Sequence, residues 1–199
     1  ARRMSSAMNL SPVSLPLMTR PTRRAKAEAD RIATAMLDID TIIDADEWNA
    51  CPDAAALIER AITCAARHLA RDSEAFAIAV ILTNDESIAH LNRDWRGQDK
   101  PTNVLSFPAL PVPGLPAGEP QHLGDIAISI NMAERQAAQR QVSISEEVAM
   151  LGIHGGLHLL GFDDLTETDY KLMQAKMREA ALAAGLSMKG EWGSFGESS

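Results

Sequence analysis

The sequence predicts an α+β fold in which one mixed sheet of about four strands is covered by helices. The first observation is the order of the segments: a strand, a helix, a strand, a short helix, two strands and three helices follow one another. That order favours a layer of strands packed against a layer of helices. The second observation is the size, because 199 residues, 46% of them hydrophobic, suit one domain with a core and an extension.

The N-terminal third is predicted to hold one strand between two helices. Residues 23–37 have a helical periodicity. Alternating apolar side chains over 37–43 then predict a strand, which ends in the acidic turn of residues 44–47. Asp53 precedes an apolar pattern with helical spacing over 57–69, so it is predicted to cap the second helix.

The middle of the chain is predicted to supply the other three strands. Residues 76–83 are a β-rich apolar run, and residues 85–91 predict a short helix after it. Residues 103–107 predict another buried strand, which the first proline of 108–120 stops. With five prolines and two glycines, residues 108–120 predict an exposed irregular loop. Residues 124–130 predict the last strand.

Three helices are predicted to end the domain. Asn131 is expected to cap a polar helix that reaches Gln141. Ser143, with a glutamate three residues later, matches a capping box and opens a helix over about 144–160. A glycine directly after that helix is typical of a helix C-terminus. The last helix is predicted over about 167–184.

Charge divides the chain into a basic arm and an acidic body. Residues 1–27 hold six basic residues and no acidic one, whereas the remainder holds 13 basic and 27 acidic residues, a net charge of −14. An acidic body is unlike a general nucleic-acid-binding surface, so if it handles RNA at all, it must do so through a local groove or with help from the arm. Residues 1–33 are predicted to be a flexible basic extension, with an organelle-targeting segment as the alternative. Residues 188–199 are predicted to be a flexible tail.

Composition excludes several classes of protein. The longest apolar run, residues 76–82, has seven residues, far fewer than the roughly 20 of a membrane-spanning helix. Cys51 and Cys64 are too few for a disulfide scaffold and favour a reducing compartment. The sequence therefore predicts a cytoplasmic protein without a membrane partner.

One segment carries residues with metal-ligand spacing. His154 and His158 are four residues apart on a predicted helix, so both imidazoles lie on one face, within reach of one ion. Gly161 lets the chain reverse after the helix and brings Asp163 or Asp164 back toward the ion. Asp164 follows His154 by ten residues, the spacing of sites whose third ligand follows the turn glycine by three. Three protein ligands and one open position predict a catalytic zinc site.

Two histidines at this spacing are by themselves more often ordinary core or surface residues than ligands. Gly155 and Gly156 support a special role, because each destabilises the middle of a helix by roughly 1 kcal/mol relative to alanine. They indicate close backbone packing or the approach of a ligand. Gly155 also takes the position where zinc peptidases of this spacing carry their general-base glutamate, which argues against a peptidase.

Three segments together resemble the YbeY endoribonucleases, a family also called rRNA maturation factors. Residues 154–164 match the family pattern His-Gly-x-Leu-His-Leu-x-Gly-Tyr-Asp-His. Residues 91–108 match Leu-Asn-x-x-aromatic-Arg followed by Lys-Pro-Thr-Asp-Val-Leu-Ser-Phe-Pro, and residues 123–126 match Leu-Gly-Asp-Ile. The resemblance implies a YbeY-like metalloendoribonuclease domain over residues 34–187, with the metal at one end of a cleft.

Two departures from the family pattern matter for the chemistry. Asp164 stands where the family has its third zinc-binding histidine. A carboxylate oxygen also binds zinc, so a site is retained with one unit less positive charge. Asn103 stands where the family has an aspartate, which argues against a general base at that position.

The resemblance implies a single-strand-specific, metal-dependent endoribonuclease that acts in maturation of the 16S rRNA 3′ end and in ribosome quality control. One Zn²⁺ ion would be held by His154, His158 and Asp164. Arg96 matches the arginine that the family places in its cleft, where a guanidinium suits a phosphate, the alternative being a solvated loop arginine paired with nearby aspartates. Lys100 is a second, assisting substrate-binding candidate. The implied partners are single-stranded or ribosomal RNA and the small ribosomal subunit, with no DNA expected.

The mechanism implied is metal-assisted cleavage of a phosphodiester, with Arg96 stabilising the charge that develops on the phosphate. Two other functions stay open at this point. One is a metal-binding ribosome-assembly factor without catalysis, which the departures at Asn103 and Asp164 favour. The other is a zinc peptidase, which Gly155 disfavours.

Overall fold

The computed structural model describes residues 37–69, 75–116 and 119–186 and confirms the predicted α+β class. The strands are β1 (Leu37–Ile43), β2 (Phe76–Thr83), β3 (Val104–Pro108) and β4 (Gln121–Ser129). The α-helices are α1 (Ala54–Leu69), α2 (Asp85–Arg96), α3 (Ile130–Arg140), α4 (Ile144–Leu159) and α5 (Glu167–Ala183), and a short 3₁₀ helix spans Asp46–Ala50. Within these ranges the order of strands and α-helices is the predicted one. The helix predicted before β1 and the C-terminal tail fall outside the described residues, apart from Leu37, which begins β1.

Within the described residues, four strands form one mixed sheet in the order β1-β2-β4-β3. β1 and β4 both run parallel to β2, whereas β3 is antiparallel to β4. The central position of β2 explains its unbroken apolar run, because a strand flanked on both sides and packed against helices has little polar surface to present. β3 lies at one edge of the sheet, and Pro108 ends it opposite Gly124, where a missing N–H is tolerated.

The main core lies between one face of the sheet and the helices α1 and α4, and α5 packs against these two helices in a second cluster. Ile58 and Ile62 of α1, Ile126 of β4 and Leu151 of α4 are all fully buried. α4 packs on α1, α3, α5 and the strands β3 and β4, so it is enclosed on almost every side. The helix with the two histidines is therefore held rigidly against the sheet. In the described part of the chain, no helix is both long enough and apolar enough to cross a bilayer.

α2 is longer than the sequence predicts, since it ends at Arg96 and not at Leu91. The side chain of Asn84 caps its start by accepting from the Ser87 N–H. Its second half continues the helical spacing through Leu91 and Trp95 and ends before Gly97, which has φ +69°. It is also held by a contact in which buried Asn92 donates to the Lys100 carbonyl at 2.8 Å. Arg96 thus lies in the last turn of a helix, not in a loop.

The predicted cap of α3 is wrong by two residues. Ser129, not Asn131, caps the helix, and its hydroxyl accepts from the Met132 N–H at 3.3 Å. The Asn131 side chain accepts instead from the Asp85 N–H at 3.1 Å. Asn131 therefore joins α3 to the start of α2. β4 also begins at Gln121, three residues before the predicted Gly124.

A buried ion pair joins α3 to α4. Arg140 donates to Glu147 Oε1 at 2.5 Å, and the Glu147 side chain is fully buried. Burial raises the pKa of Glu147, while the charge of Arg140 and its hydrogen bond act to lower it. The charge of Arg140 is therefore what stabilises the ionised form of the buried Glu147 carboxyl group.

Replacing Arg140 by methionine is expected to lower the free energy of unfolding by about 3–5 kcal/mol, because it leaves a buried carboxylate without its cation. The matched control is Arg135→Met, which breaks a more exposed pair with Asp85 and should cost about 0–1 kcal/mol. Urea unfolding near neutral pH measures both. The difference between the two variants in unfolding free energy should narrow as the pH falls through the raised pKa of Glu147, because a protonated carboxyl group needs no cation. Equal losses in the two variants would refute the role assigned to this pair.

Candidate metal centre

The helix α4 begins at a capping box and ends at a glycine turn, both as predicted. The Ser143 hydroxyl accepts from the Glu146 N–H, and the Glu146 carboxylate accepts in return from the Ser143 N–H. At the other end Gly161 has φ +90°, a conformation that favours glycine. These two signals place the two histidines in the last three turns of a buried helix.

The glycines of α4 let neighbouring elements approach closely. A Cβ on Gly152 would lie 3.0 Å from Ile58 of α1, and one on Gly156 would lie 3.2 Å from Ile62 of the same helix. Gly155 faces the sheet, where a Cβ would lie 3.0 Å from Ile126 Cγ2. The close packing expected from the mid-helix glycines is therefore present on two sides of the helix.

Gly155 bears directly on the peptidase alternative. A Cβ at this position would also lie 3.1 Å from Ser106 Oγ, so a side chain here would require Ile126 or Ser106 to shift by a few tenths of an ångström. Because glycine carries no carboxylate, the position that zinc peptidases use supplies no general base in this chain.

The two histidines face each other across a short gap. His154 Nε2 and His158 Nε2 are 3.1 Å apart, and the rings are perpendicular with centroids at 4.6 Å. His158 Nδ1 lies 3.0 Å from the carbonyl oxygen of Phe162, which can only accept a hydrogen bond. Nδ1 therefore carries the proton, and Nε2 of the neutral ring directs its lone pair at His154. A divalent cation between the two nitrogens is the arrangement that this geometry suits.

The turn after α4 brings Asp164 to the histidines. Its backbone is closed by hydrogen bonds from the Gly161 N–H to the His158 carbonyl and from the Phe162 N–H to the Leu157 carbonyl, both at 3.0 Å. Ligand atoms of His154, His158 and Asp164 all lie within 4.8 Å of one another.

The neighbouring Asp163 is placed differently. It is exposed, and its carboxylate accepts from the Asp164 N–H at 2.8 Å. Of the two aspartates that the spacing allowed, the structure therefore places Asp164 with the histidines.

The donor set fits a zinc-like ion. Two nitrogens that bind one zinc at a tetrahedral angle are roughly 3.3 Å apart, close to the 3.1 Å between the two Nε2 atoms. Two imidazoles and one carboxylate are a set that leaves one position open in a tetrahedral site. The residues present therefore fit the group that the spacing predicts.

The surroundings keep His154 neutral. The residue is 5% exposed, and burial lowers the pKa of its imidazole to about 3, with further lowering by His158 and by the positive charge of Arg96. A metal ligand must be deprotonated, so this environment prepares the ring to bind a cation. The effect of Arg96 also shows that its charge lies near the histidines.

A cavity of about 670 Å³ opens over the three candidate ligands. Arg96, at the C-terminal end of α2, is exposed and lines the cavity together with His154, His158 and Asp164. Lys100 is not among the described residues that line it. The sequence prediction of an RNA-facing Lys100 stays a prediction.

Several residues of the cavity were missed by the sequence analysis. The lining also includes one group from around β3 and one from the turn after α4, namely Thr102, Val104, Ser106, Pro108, Phe162 and Leu165. The signal that could have found Ser106 is the alternation of β3, because it lies two residues after the buried Val104 and so faces the same side of the sheet.

Asn103 also lines the cavity, but its side chain forms hydrogen bonds that join two elements of the fold. Its Oδ1 accepts from the Val104 N–H at 2.8 Å, and its Nδ2 donates to Gln136 Oε1 at 3.0 Å. The residue is buried and joins the start of β3 to α3. These bonds give Asn103 a structural role, and a neutral amide is too weakly basic to take up a proton, so Asn103 is not a general base.

Two other histidines lie outside the cavity. His90 is hydrogen-bonded to Arg93 at 2.8 Å, and His122 is paired with Asp125 at 3.0 Å. Both are exposed, and neither is among the residues that line the cavity over the candidate ligands.

The sequence is similar to those of known proteins. The family profile described as Endoribonuclease YbeY matches residues 42–185. An Endoribonuclease YbeY of Nitrobacter winogradskyi is 40% identical over 158 residues, which are 78% of this chain and 82% of that protein. Another, of a Bradyrhizobium species, is 42% identical over 150 residues, which are 74% of this chain and 88% of that protein. A solution structure of a Thermotoga maritima protein aligns with a TM-score of 0.45 and 22% identity over 77% of this chain and 99% of that one.

Proposed function

The chain belongs to the YbeY endoribonuclease family, and from this we propose that it is a metal-dependent endoribonuclease that cleaves single-stranded RNA. We further propose that it acts in the cytoplasm on the 3′ end of 16S rRNA and in ribosome quality control, with the small ribosomal subunit as its partner. The observation that carries the proposal is one cavity that combines three candidate metal-ligand side chains with an exposed guanidinium. A divalent cation and a guanidinium in one cavity suit the cleavage of an anionic phosphodiester.

One zinc ion per chain is the proposed cofactor, and His154, His158 and Asp164 are its proposed ligands. When bound, a divalent ion supplies Lewis acidity, which polarises a phosphoryl oxygen or makes a water molecule more acidic. The Phe162 carbonyl supports this role by fixing the tautomer of His158. Burial supports it by keeping His154 neutral.

Arg96 is the proposed phosphate-binding and catalytic residue. Its planar, permanently charged guanidinium can contact two phosphate oxygens at once and stabilise the charge that develops on them during cleavage. The acidic balance of residues 28–199, with a net charge of −14, makes this contact more important. Because that body repels RNA at long range, binding has to come from local positive groups such as Arg96.

The proposal is tested by cleavage of matched single- and double-stranded oligoribonucleotides, followed by gel electrophoresis. The full-length protein should cut the single strand, stop when a chelator removes its metal, and recover when zinc is added back. Metal analysis of the same samples gives the stoichiometry, expected to be one ion per chain. If zinc-loaded protein binds the RNA but never cuts it, the proposed endonuclease activity is wrong.

That last outcome would instead identify a metal-binding ribosome-assembly factor without catalysis. Two observations favour this second function: Asp164 replaces the third histidine of the family pattern, and Asn103 is committed to structural hydrogen bonds. The same assay distinguishes the two functions, since both require metal and RNA binding and only one requires cleavage. A peptidase is disfavoured because Gly155 takes the position of its general-base glutamate.

Replacing Asp164 by histidine is expected to tighten zinc binding by about tenfold or more while leaving the fold intact. Asp164 is only partly buried in the turn after α4, so the larger ring can be accommodated, and the change restores a third imidazole. Competition with a chromogenic chelator measures the affinity. Glu167→His, at an exposed acidic position outside the residues that line the cavity, is the control and should leave the affinity unchanged. Weaker binding in Asp164→His would mean that the carboxylate is the better ligand in this site.

A further inference from the structure

We propose that Ser106 recognises the ribose of the substrate, by accepting a hydrogen bond from a 2′-hydroxyl group. This inference rests on the proposed function, because it assigns the residue that lets the same cavity prefer RNA over DNA. It starts from a side chain that the metal chemistry does not use. Ser106 lies on the edge strand β3, is half-buried, and lines the cavity over the candidate metal ligands.

The hydrogen bond that Ser106 already makes determines what it can still offer. Its hydroxyl is 3.2 Å from the carbonyl oxygen of Gly155. A carbonyl oxygen carries no proton, so the hydroxyl must be the donor. The single proton of Ser106 is therefore committed to α4, and the oxygen keeps its lone pairs for a ligand. In this state Ser106 is an acceptor only.

The position of this acceptor is fixed from both sides. Gly155, whose carbonyl holds the Ser106 proton, is the direct neighbour of His154 in the chain. A Cβ on Gly155 would lie 3.1 Å from the Ser106 oxygen, so the absence of a side chain lets β3 come this close to the helix. The anchored hydroxyl therefore lies in the same cavity as the candidate metal ligands and Arg96, and a substrate bound there by its phosphate would bring its sugars into this cavity.

The chemistry of the cavity indicates which group of the substrate would bond to the Ser106 oxygen. The guanidinium of Arg96 has only donors, which suit phosphate oxygens and cannot recognise a hydroxyl proton. A 2′-hydroxyl can donate to Ser106, whereas the corresponding position of DNA has nothing to donate. A site built to bond a hydroxyl discriminates against the analogue that lacks it.

Thr102 is a second hydroxyl in the same cavity, and it makes a weaker case. Its proton is directed at Asn103 Oδ1 over 3.4 Å, near the limit for a hydrogen bond, so it is not firmly committed. Asn103 Oδ1 is moreover already bonded to the Val104 N–H at 2.8 Å. Thr102 can therefore donate to a ligand as well as accept from one, and it does not select for a donor.

The test compares two oligonucleotides of one single-stranded sequence, one with 2′-hydroxyl groups and one with 2′-fluorine. Fluorine keeps a ribose-like sugar but cannot donate a hydrogen bond. Fluorescence anisotropy of the full-length, metal-loaded protein, read before measurable cleavage, gives both affinities. The wild type should prefer the hydroxyl form by roughly three- to tenfold, the range expected for one hydrogen bond. In Ser106→Ala the preference should vanish, because only the affinity for the hydroxyl form falls.

Two variants keep the result specific. Ser87→Ala removes an equally half-buried hydroxyl on α2, outside this cavity, and should keep the full preference. Thr102→Val should also keep it. A Ser106→Ala protein that still prefers the hydroxyl form overturns the inference, as does a preference that disappears in Thr102→Val instead. A wild type without any preference overturns it even if the Ser106 variant fails to fold.

The failure of the inference can be told apart from the failure of the proposed function. Cleavage of the 2′-hydroxyl strand by the wild type is recorded in parallel. If the wild type cuts this RNA but Ser106→Ala keeps the preference for the 2′-hydroxyl strand, the proposed function is supported and the role of Ser106 is wrong. If the wild type neither binds nor cuts the RNA, both fall together.

Discussion

Replacing His154 by alanine is expected to remove the bound metal and to reduce RNA cleavage by at least about 100-fold. The change deletes one of three proposed ligands and leaves only His158 and Asp164, too few to hold the ion firmly. Loss of groups that merely orient ligands already weakens metal sites by about 10–100-fold, so loss of a ligand should exceed that range. Metal content by mass spectrometry and a gel assay with single-stranded RNA measure the two effects.

Because His154 is buried, its removal could also disturb the core, and two further variants separate the causes. His158→Ala changes a half-buried ligand and should give the same loss of metal and cleavage. His122→Ala removes an exposed histidine that pairs with Asp125 away from the cavity, and should keep both. Thermal unfolding in the presence of chelator, where the metal no longer contributes, should be similar for His158→Ala and the wild type. Full cleavage by the metal-free His158→Ala protein would show that the reaction does not use this centre.

Local sequence signals accounted for most of the elements in the described part of the chain. The period-two alternation of residues 37–43, the apolar run of 76–83 and the capping box at Ser143 all depend on neighbours along the chain, and each of them is confirmed. The end of α2 was placed too early because the local signal of Gly97, which has φ +69° after the helix, was not used. The bond from Asn92 to the Lys100 carbonyl that also holds this end depends on how the chain folds back after the helix. The strand order β1-β2-β4-β3 likewise depends on pairing between distant segments.

The candidate site divides in the same way. His154, His158 and Asp164 lie within eleven consecutive residues, so helix geometry and one glycine turn were enough to predict that they lie close together. Ser106 comes from β3 and joins the histidines in one cavity only because the sheet packs against α4. Spacing along the chain carries no information on that contact. The place of Arg96 beside the metal ligands was indicated by the family resemblance and not by its own surroundings in the sequence.

Replacing Arg96 by glutamate is expected to abolish RNA cleavage while metal content and melting temperature stay close to those of the wild type. Arg96 is exposed in the last turn of α2 and lines the cavity, so its removal leaves no gap in the core. Loss of one group that stabilises transition-state charge lowers rates by about 100- to 1,000-fold, and a reversed charge should do at least as much. Binding of single-stranded RNA should weaken as well, and the slope of its salt dependence should fall by about 0.7, the value of one phosphate contact.

The matched control for this change is Arg93→Glu. Arg93 lies one turn earlier on the same helix and carries the same charge, but it pairs with Asp94 and Asp99 and does not line the cavity. Both variants change the net charge of the protein equally, so any general repulsion of RNA is the same in the two. Cleavage should therefore survive in Arg93→Glu and be lost in Arg96→Glu. If both variants lose activity to a similar degree, overall charge controls binding and the local phosphate contact of Arg96 is wrong. If Arg96→Glu cuts as fast as the wild type, Arg96 is a solvated helix-end residue, and the phosphate must be bound by other groups of the cavity.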